Sequence, residues 1–93
     1  MTSNVSDSKR QDFLSLLNQA IQISTKKSVQ EDNSGVYALA KKNLETLRES
    51  FLAGKVKSSE GGILGLSRNI GEFDEGELYN IAGKIDDYFS RNF

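Results

Sequence analysis

The chain has 93 residues, of which 12 are basic and 13 acidic, so its formal charge is −1. Hydrophobic residues make up 37% and charged residues 27%, a balance typical of one small globular domain. The sequence contains no cysteine and no histidine, which excludes disulfides, thiolate zinc sites and serine–histidine–aspartate triads. We therefore expect a non-enzymatic chain with no catalytic residues, no metal site and no cofactor.

No apolar run approaches the length that a membrane span requires, and residues 1–12 are too polar for a signal peptide. The expected location is therefore the cytoplasm. Residues 1–8 are rich in hydroxyl side chains and are predicted to form a flexible arm. Residues 9–93 are predicted to form a single helical domain.

The first predicted helix covers about Lys9–Thr25, because Phe13, Leu17 and Ile21 recur at the spacing of one helix face. We expect it to end where two weak helix formers precede two lysines. Residues 28–35 are open to two interpretations. Ser28 could begin a capping box, whereas the turn-forming residues 32–35 favour a loop.

The second predicted helix covers Ser34–Ala53 and ends at Gly54, a residue that readily adopts the left-handed conformation closing a helix. Its apolar residues cluster on one face. They are Val36, Ala40, Leu44, Leu47 and Phe51.

A short third helix is predicted over Gly62–Ile70, in a glycine-rich segment that lacks the lysine of a phosphate-binding loop. The fourth covers Glu75–Asn92, with Asp74 as its N-cap and Glu77 as the capping-box partner. Its apolar face consists of Leu78, Ile81, Ala82, Ile85 and Phe89. No segment alternates like a strand, so the predicted fold is all-α, a compact three- or four-helix bundle with antiparallel neighbours.

In length and helix order the chain is similar to the small four-helix bacteriocin-immunity proteins. The shared features are a polar N-terminus, four amphipathic segments and a Leu78-Tyr79 pair in the last helix. These features are too general to assign a function to any particular residue of this chain.

The candidate binding residues are Arg68, Asn69 and Glu72, which place a guanidinium, an amide and a carboxylate among glycines. Arg68 could clamp a carboxylate or phosphate through two hydrogen bonds, with the other two side chains orienting it. A structural alternative stays open, in which Arg68 pairs with an acid of the last helix and Asn69 caps a helix end.

Three functions are compatible with this sequence. The first is a non-catalytic interaction protein (a regulator, adaptor, antitoxin or immunity-type protein) that binds another protein. The second is a small-ligand-binding or enzymatic domain using Arg68, Asn69 and Glu72. The third, nucleic-acid binding, would use a basic stripe that Glu45 interrupts. Its residues are Lys41, Lys42, Arg48, Lys55 and Lys57.

A homodimer is a further expectation, because some apolar side chains fall outside the predicted helix faces. They are Leu14, Ile23, Leu52, Val56 and Leu64.

Overall fold

The described part of the chain, in a computed structural model, comprises residues 6–30, 35–55 and 65–92. These residues form four helices and contain no strand. The helices are α1 (Ser6–Gln30), α2 (Val36–Leu52), α3 (Leu66–Ile70) and α4 (Glu77–Asn92). Helix α1 packs against α2 and α4, and α3 packs against α4. The predicted all-α bundle is confirmed.

Helix α1 extends beyond both of its predicted ends. It begins at Ser6, inside the segment predicted to be a flexible arm, and residues 1–5 lie outside the described residues. Residues 6–8 are two serines and an aspartate, types that are favoured at a helix N-terminus, which is why the helix can begin there. At the other end, the Ser24 and Thr25 hydroxyls donate to backbone carbonyls one turn earlier, at 2.9 and 2.8 Å. These residues are therefore accommodated inside the helix and do not end it.

Ser28 neither begins a helix, as the capping-box interpretation expected, nor lies in a loop. Ser28 lies within α1, where its hydroxyl donates to the Thr25 carbonyl at 2.8 Å. Residues 28–30 are helical, Gly35 immediately precedes α2, and residues 31–34 lie outside the described residues. Helix α2 begins at Val36, two residues after the predicted start.

The predicted end of α2 is confirmed. Gly54 has a φ of 78°, the left-handed conformation that glycine adopts without a steric penalty. The amide of Lys55 donates to the Ser50 carbonyl at 2.9 Å, and the amide of Gly54 donates to the Phe51 carbonyl at 3.1 Å. This paired pattern satisfies two carbonyls that the helix end would otherwise leave without partners.

The core is centred on Phe13 of α1, which is fully buried. Its ring lies 4.7 Å from the Phe51 ring of α2 and 5.5 Å from the Phe89 ring of α4, measured between centroids. Arg10 covers this cluster, with its guanidinium 4.5 Å from the Phe51 ring centroid and one N–H donating to the Phe51 carbonyl at 3.3 Å. Two aromatic contacts of Phe13 thus join three helices.

The apolar residues outside the predicted faces have different environments. Leu14 and Ile23 are half-buried and pack against the core. Leu52 is 57% exposed, and Val56 and Leu64 lie outside the described residues.

The segment before α4 differs from the prediction in its details. Helix α4 begins at Glu77, and the carbonyl of Gly76 accepts the helical hydrogen bond from Asn80 at 3.0 Å. Asp74 is therefore not the N-cap, and Glu77 is not its capping-box partner. Asp74 instead forms a turn, accepting a hydrogen bond from the Gly76 amide at 2.6 Å. Helix α3 begins at Leu66, and residues 62–64 of its predicted range lie outside the described residues.

Candidate binding groove

An open groove of about 510 Å³ lies between α2 and the α3 segment. It exists because α2 packs against α1 while α3 packs against α4, so the two walls belong to different helix pairs. The α2 wall presents residues spaced by three and four positions, which share one helix face. They are Val36, Leu39, Ala40, Asn43 and Leu44.

The opposite wall comes from α3 and the turn that follows it. Leu66, Ile70 and Phe73 provide its apolar surface, and Asn69 and Glu72 provide its polar groups. Both polar side chains are exposed. Glu72 is the single charged side chain among the described residues that line the groove. The groove is therefore apolar, with two amides and one carboxylate at its edge.

Helix α3 is held in place by a carboxylate of α4. Asp86 accepts hydrogen bonds from the backbone amides of Leu66 and Ser67 at 3.1 and 2.8 Å. It also accepts one from the Ser67 hydroxyl at 2.8 Å. These amides open α3 and have no partner within the helix, so Asp86 supplies a cap from another element.

The turn that ends this wall is fixed by a buried polar cluster. Tyr37 of α2 donates a hydrogen bond to Asp74 at 2.8 Å, and Lys27 of α1 lies 3.9 Å from the same carboxylate oxygen. The Tyr37 ring also meets Phe73 edge to face, with centroids 5.3 Å apart. The cluster joins α1 and α2 to the turn before α4.

Two of the three candidate residues named from the sequence line this groove, and the third does not. Asn69 and Glu72 line it, whereas Arg68 borders a separate, more open depression of about 580 Å³ with Glu72, Glu75 and Tyr79. Arg68 is exposed and makes no ion pair within the described part of the chain. The caps of α3 are Gly65 and Gly71, so within the described residues the Asn69 side chain does not cap this helix.

Sequence reasoning missed Leu39, which is 58% exposed at the groove. A possible signal was its position beside Ala40 but off the main apolar face of the second helix. It also missed Asp86, since nothing local distinguishes that carboxylate from its neighbour Asp87.

The basic stripe of α2 is partly engaged in contacts within the protein. Arg48 donates to the Asn18 side chain of α1 at 2.7 Å. Lys42 and Lys55 are exposed, Lys41 is half-buried, and Lys57 lies outside the described residues. Only part of this stripe is therefore free to contact phosphates.

The Tyr88 phenol of α4 has an altered pKa. Partial burial raises the pKa of the Tyr88 phenol above its usual 10.0, and the nearby Asp12 carboxylate acts in the same direction. Tyr88 donates a hydrogen bond to Asp12 at 3.2 Å. Neither residue lines the groove. The described residues contain no cluster of three potential metal ligands. No described helix combines the length and apolarity needed to cross a membrane.

Comparison of the chain with known families, curated proteins and solved structures gives no match. The function must therefore be argued from the groove and its surroundings.

Proposed function

We propose that this chain is a small, non-catalytic interaction protein that binds a segment of a partner protein in the groove between α2 and α3. The groove carries the proposal. It is open, has a volume of about 510 Å³ and is lined mainly by apolar side chains, with two amides and one carboxylate. A regulator, adaptor, antitoxin or immunity-type protein could act in this way, and the cytoplasmic location expected from the sequence belongs to the same proposal.

The distribution of polarity supports protein binding. An apolar surface with a polar rim is typical of sites where two proteins meet, since burial of the apolar centre drives association. Leu39 is 58% exposed at the α2 wall, while Leu44, which also lines the groove, is almost fully buried. Leu39 thus offers apolar surface that a partner side chain can cover.

The alternative functions have weaker support. A small-ligand or catalytic site would need Arg68, Asn69 and Glu72 to converge, but Arg68 and Asn69 line different depressions and Glu72 borders both. Nucleic-acid binding would need the α2 stripe, and Arg48 is engaged with Asn18. A homodimer stays a proposal that sedimentation at increasing concentration would test.

A pair of matched leucine variants tests the proposal. Leu39 and Leu52 both lie on α2 and are 58% and 57% exposed, but Leu39 alone of the two lines the groove. In a pulldown with the tagged protein, Leu39→Gln should lose a stoichiometric partner that the wild type and Leu52→Gln both retain. Both variants should melt within a few degrees of the wild type, because an exposed leucine contributes little to folding.

A partner that binds Leu39→Gln and Leu52→Gln equally well contradicts the proposed groove function. Arg68→Ala belongs in the same series, since this exposed side chain has no ion pair among the described residues. Loss of the partner in Arg68→Ala with retention in Leu39→Gln would move the binding site to the second depression.

A further inference from the structure

The polar groups at the groove indicate the chemistry of its occupant. Asn43 lies on the α2 wall and Asn69 on the α3 wall, and both side chains are exposed. A side-chain amide carries both a donor and an acceptor, so it can pair with the C=O and N–H of a peptide backbone. A helical partner already uses most of these backbone groups internally, whereas an extended segment leaves them available.

The negative charge of Glu72 at the groove favours extended segments that carry a positive charge. Glu72 is exposed and is the single charged side chain among the described lining residues. Glu75 and Arg68 are exposed with it at the adjacent depression, where the two carboxylates outnumber the one guanidinium. A carboxylate at the rim of an apolar surface attracts a cationic group and repels an anionic one. A basic side chain beside an apolar one therefore matches both features of the groove.

We infer that the groove binds an extended peptide segment in which an apolar side chain is flanked by lysine or arginine. The apolar side chain lies against Leu39 and Leu66, and the neighbouring cation lies at Glu72. The amides of Asn43 and Asn69 bind the backbone from opposite walls. This inference rests on the proposed function and specifies the class of partner.

Two capped hexapeptides of opposite charge provide the probes, Gly-Lys-Leu-Val-Lys-Gly and Gly-Glu-Leu-Val-Glu-Gly. Each is titrated into the full chain carrying labelled leucine and isoleucine methyl groups, and binding is followed by nuclear magnetic resonance. The basic peptide should shift the methyl signals of Leu39, Leu66 and Ile70, and leave that of Leu17 in the core unchanged. The acidic peptide should leave all of them in place.

Variants then test the individual contacts. Glu72→Gln should weaken binding of the basic peptide about two- to fivefold, the effect expected of one exposed ion pair. Glu49→Gln makes the same change in net charge at an exposed α2 position outside the groove lining, and should leave the affinity unchanged. Asn69→Ala should weaken binding without changing the preference for the basic peptide.

Equal shifts from both peptides, or none from either at millimolar concentration, overturn the inference. Groove methyl shifts that depend on protein concentration in the absence of peptide also overturn it, since a second copy of the chain would then be the occupant. These outcomes differ from failure of the proposed function, which appears as retention of the protein partner by Leu39→Gln.

Discussion

The Tyr37 hydroxyl of α2 donates a 2.8 Å hydrogen bond to Asp74, a residue 37 positions later in the turn before α4. The side chain of Asp74 is 3% exposed, and it also accepts from the Gly76 amide and faces Lys27. A buried carboxylate is tolerated when hydrogen bonds and an opposite charge compensate for lost hydration. This contact therefore joins α1 and α2 to the turn before α4.

We predict that Asp74→Ala lowers the free energy of unfolding by about 2–4 kcal/mol, because buried polar groups lose their partner. Equilibrium unfolding in urea measures the change. Glu75→Ala alters the adjacent but exposed carboxylate and should stay within about 0.5 kcal/mol of the wild type. Equal losses in the two variants would show that the Asp74 cluster has no special structural role.

A second prediction concerns the support of the groove wall. Asp86→Ala removes the acceptor for the Leu66 and Ser67 amides, and should cost about 1–3 kcal/mol of stability. Hydrogen exchange at these amides should accelerate more than exchange at the core of α4. Since α3 forms one wall of the groove, partner binding should weaken as well.

Asp87→Ala is the matched control for Asp86→Ala. Asp87 is the next residue of α4, and its carboxylate pairs with Arg91 at 2.9 Å on the exposed surface. Such a pair contributes about 0–1 kcal/mol, so this variant should keep both its stability and its partner. Slow exchange at the Ser67 amide in Asp86→Ala would contradict the proposed support.

Much of the fold was predictable because helix periodicity is a local property. All five residues of the predicted fourth apolar face are buried, and the second helix ends at Gly54 as predicted. Each of these inferences used residues within a few turns of one another. The information needed was present in the sequence spacing alone.

The contacts that shape the site were not predictable in this way. Asp86 accepts hydrogen bonds from amides 19 and 20 positions earlier in the chain. Tyr37 donates its hydrogen bond to Asp74, 37 positions later. Such pairings depend on how helices are placed together, which periodicity does not specify. Arg68, Asn69 and Glu72 were named for their chemical types, but the fold places Asn69 in the groove and Arg68 in the second depression, with Glu72 bordering both.

A third prediction concerns alkaline titration. Partial burial and the nearby Asp12 carboxylate raise the pKa of Tyr88 above 10.0 in the folded chain, so folding favours the neutral phenol. The contribution of this shift to the free energy of unfolding is complete below the pKa that Tyr88 has in the unfolded chain. It is lost as the pH rises through the pKa that Tyr88 has in the folded chain. Asp12→Asn removes the carboxylate charge that adds to the shift, so the pKa of Tyr88 should fall towards 10.0.

Phenolate absorbance in the ultraviolet measures this titration, and a Tyr88→Phe variant identifies which of the three tyrosines contributes each step. Asp87→Asn is the control, because the Asp87 carboxylate pairs with Arg91. An identical Tyr88 transition in the wild type and Asp12→Asn would show that the contact between the two side chains is not maintained in solution.

A fourth prediction contrasts two glycines with opposite surroundings. A Cβ at Gly71 would lie 2.9 Å from the Ser67 carbonyl oxygen and 2.9 Å from the Tyr79 ring. Because the first atom belongs to the backbone, Gly71→Ala should force a shift and cost about 1–3 kcal/mol. At Gly83, inside α4, a Cβ would meet no atom within 4 Å.

Gly83→Ala should therefore raise stability by about 0.5–1 kcal/mol, since alanine loses less backbone entropy than glycine in a helix. Thermal melts of both variants give the signs directly. Adding Tyr79→Ala to Gly71→Ala should recover part of the loss, because the collision with the ring is removed while that with the Ser67 carbonyl persists. A Gly71→Ala variant as stable as the wild type would contradict the close approach of the α3 turn to Tyr79 of α4.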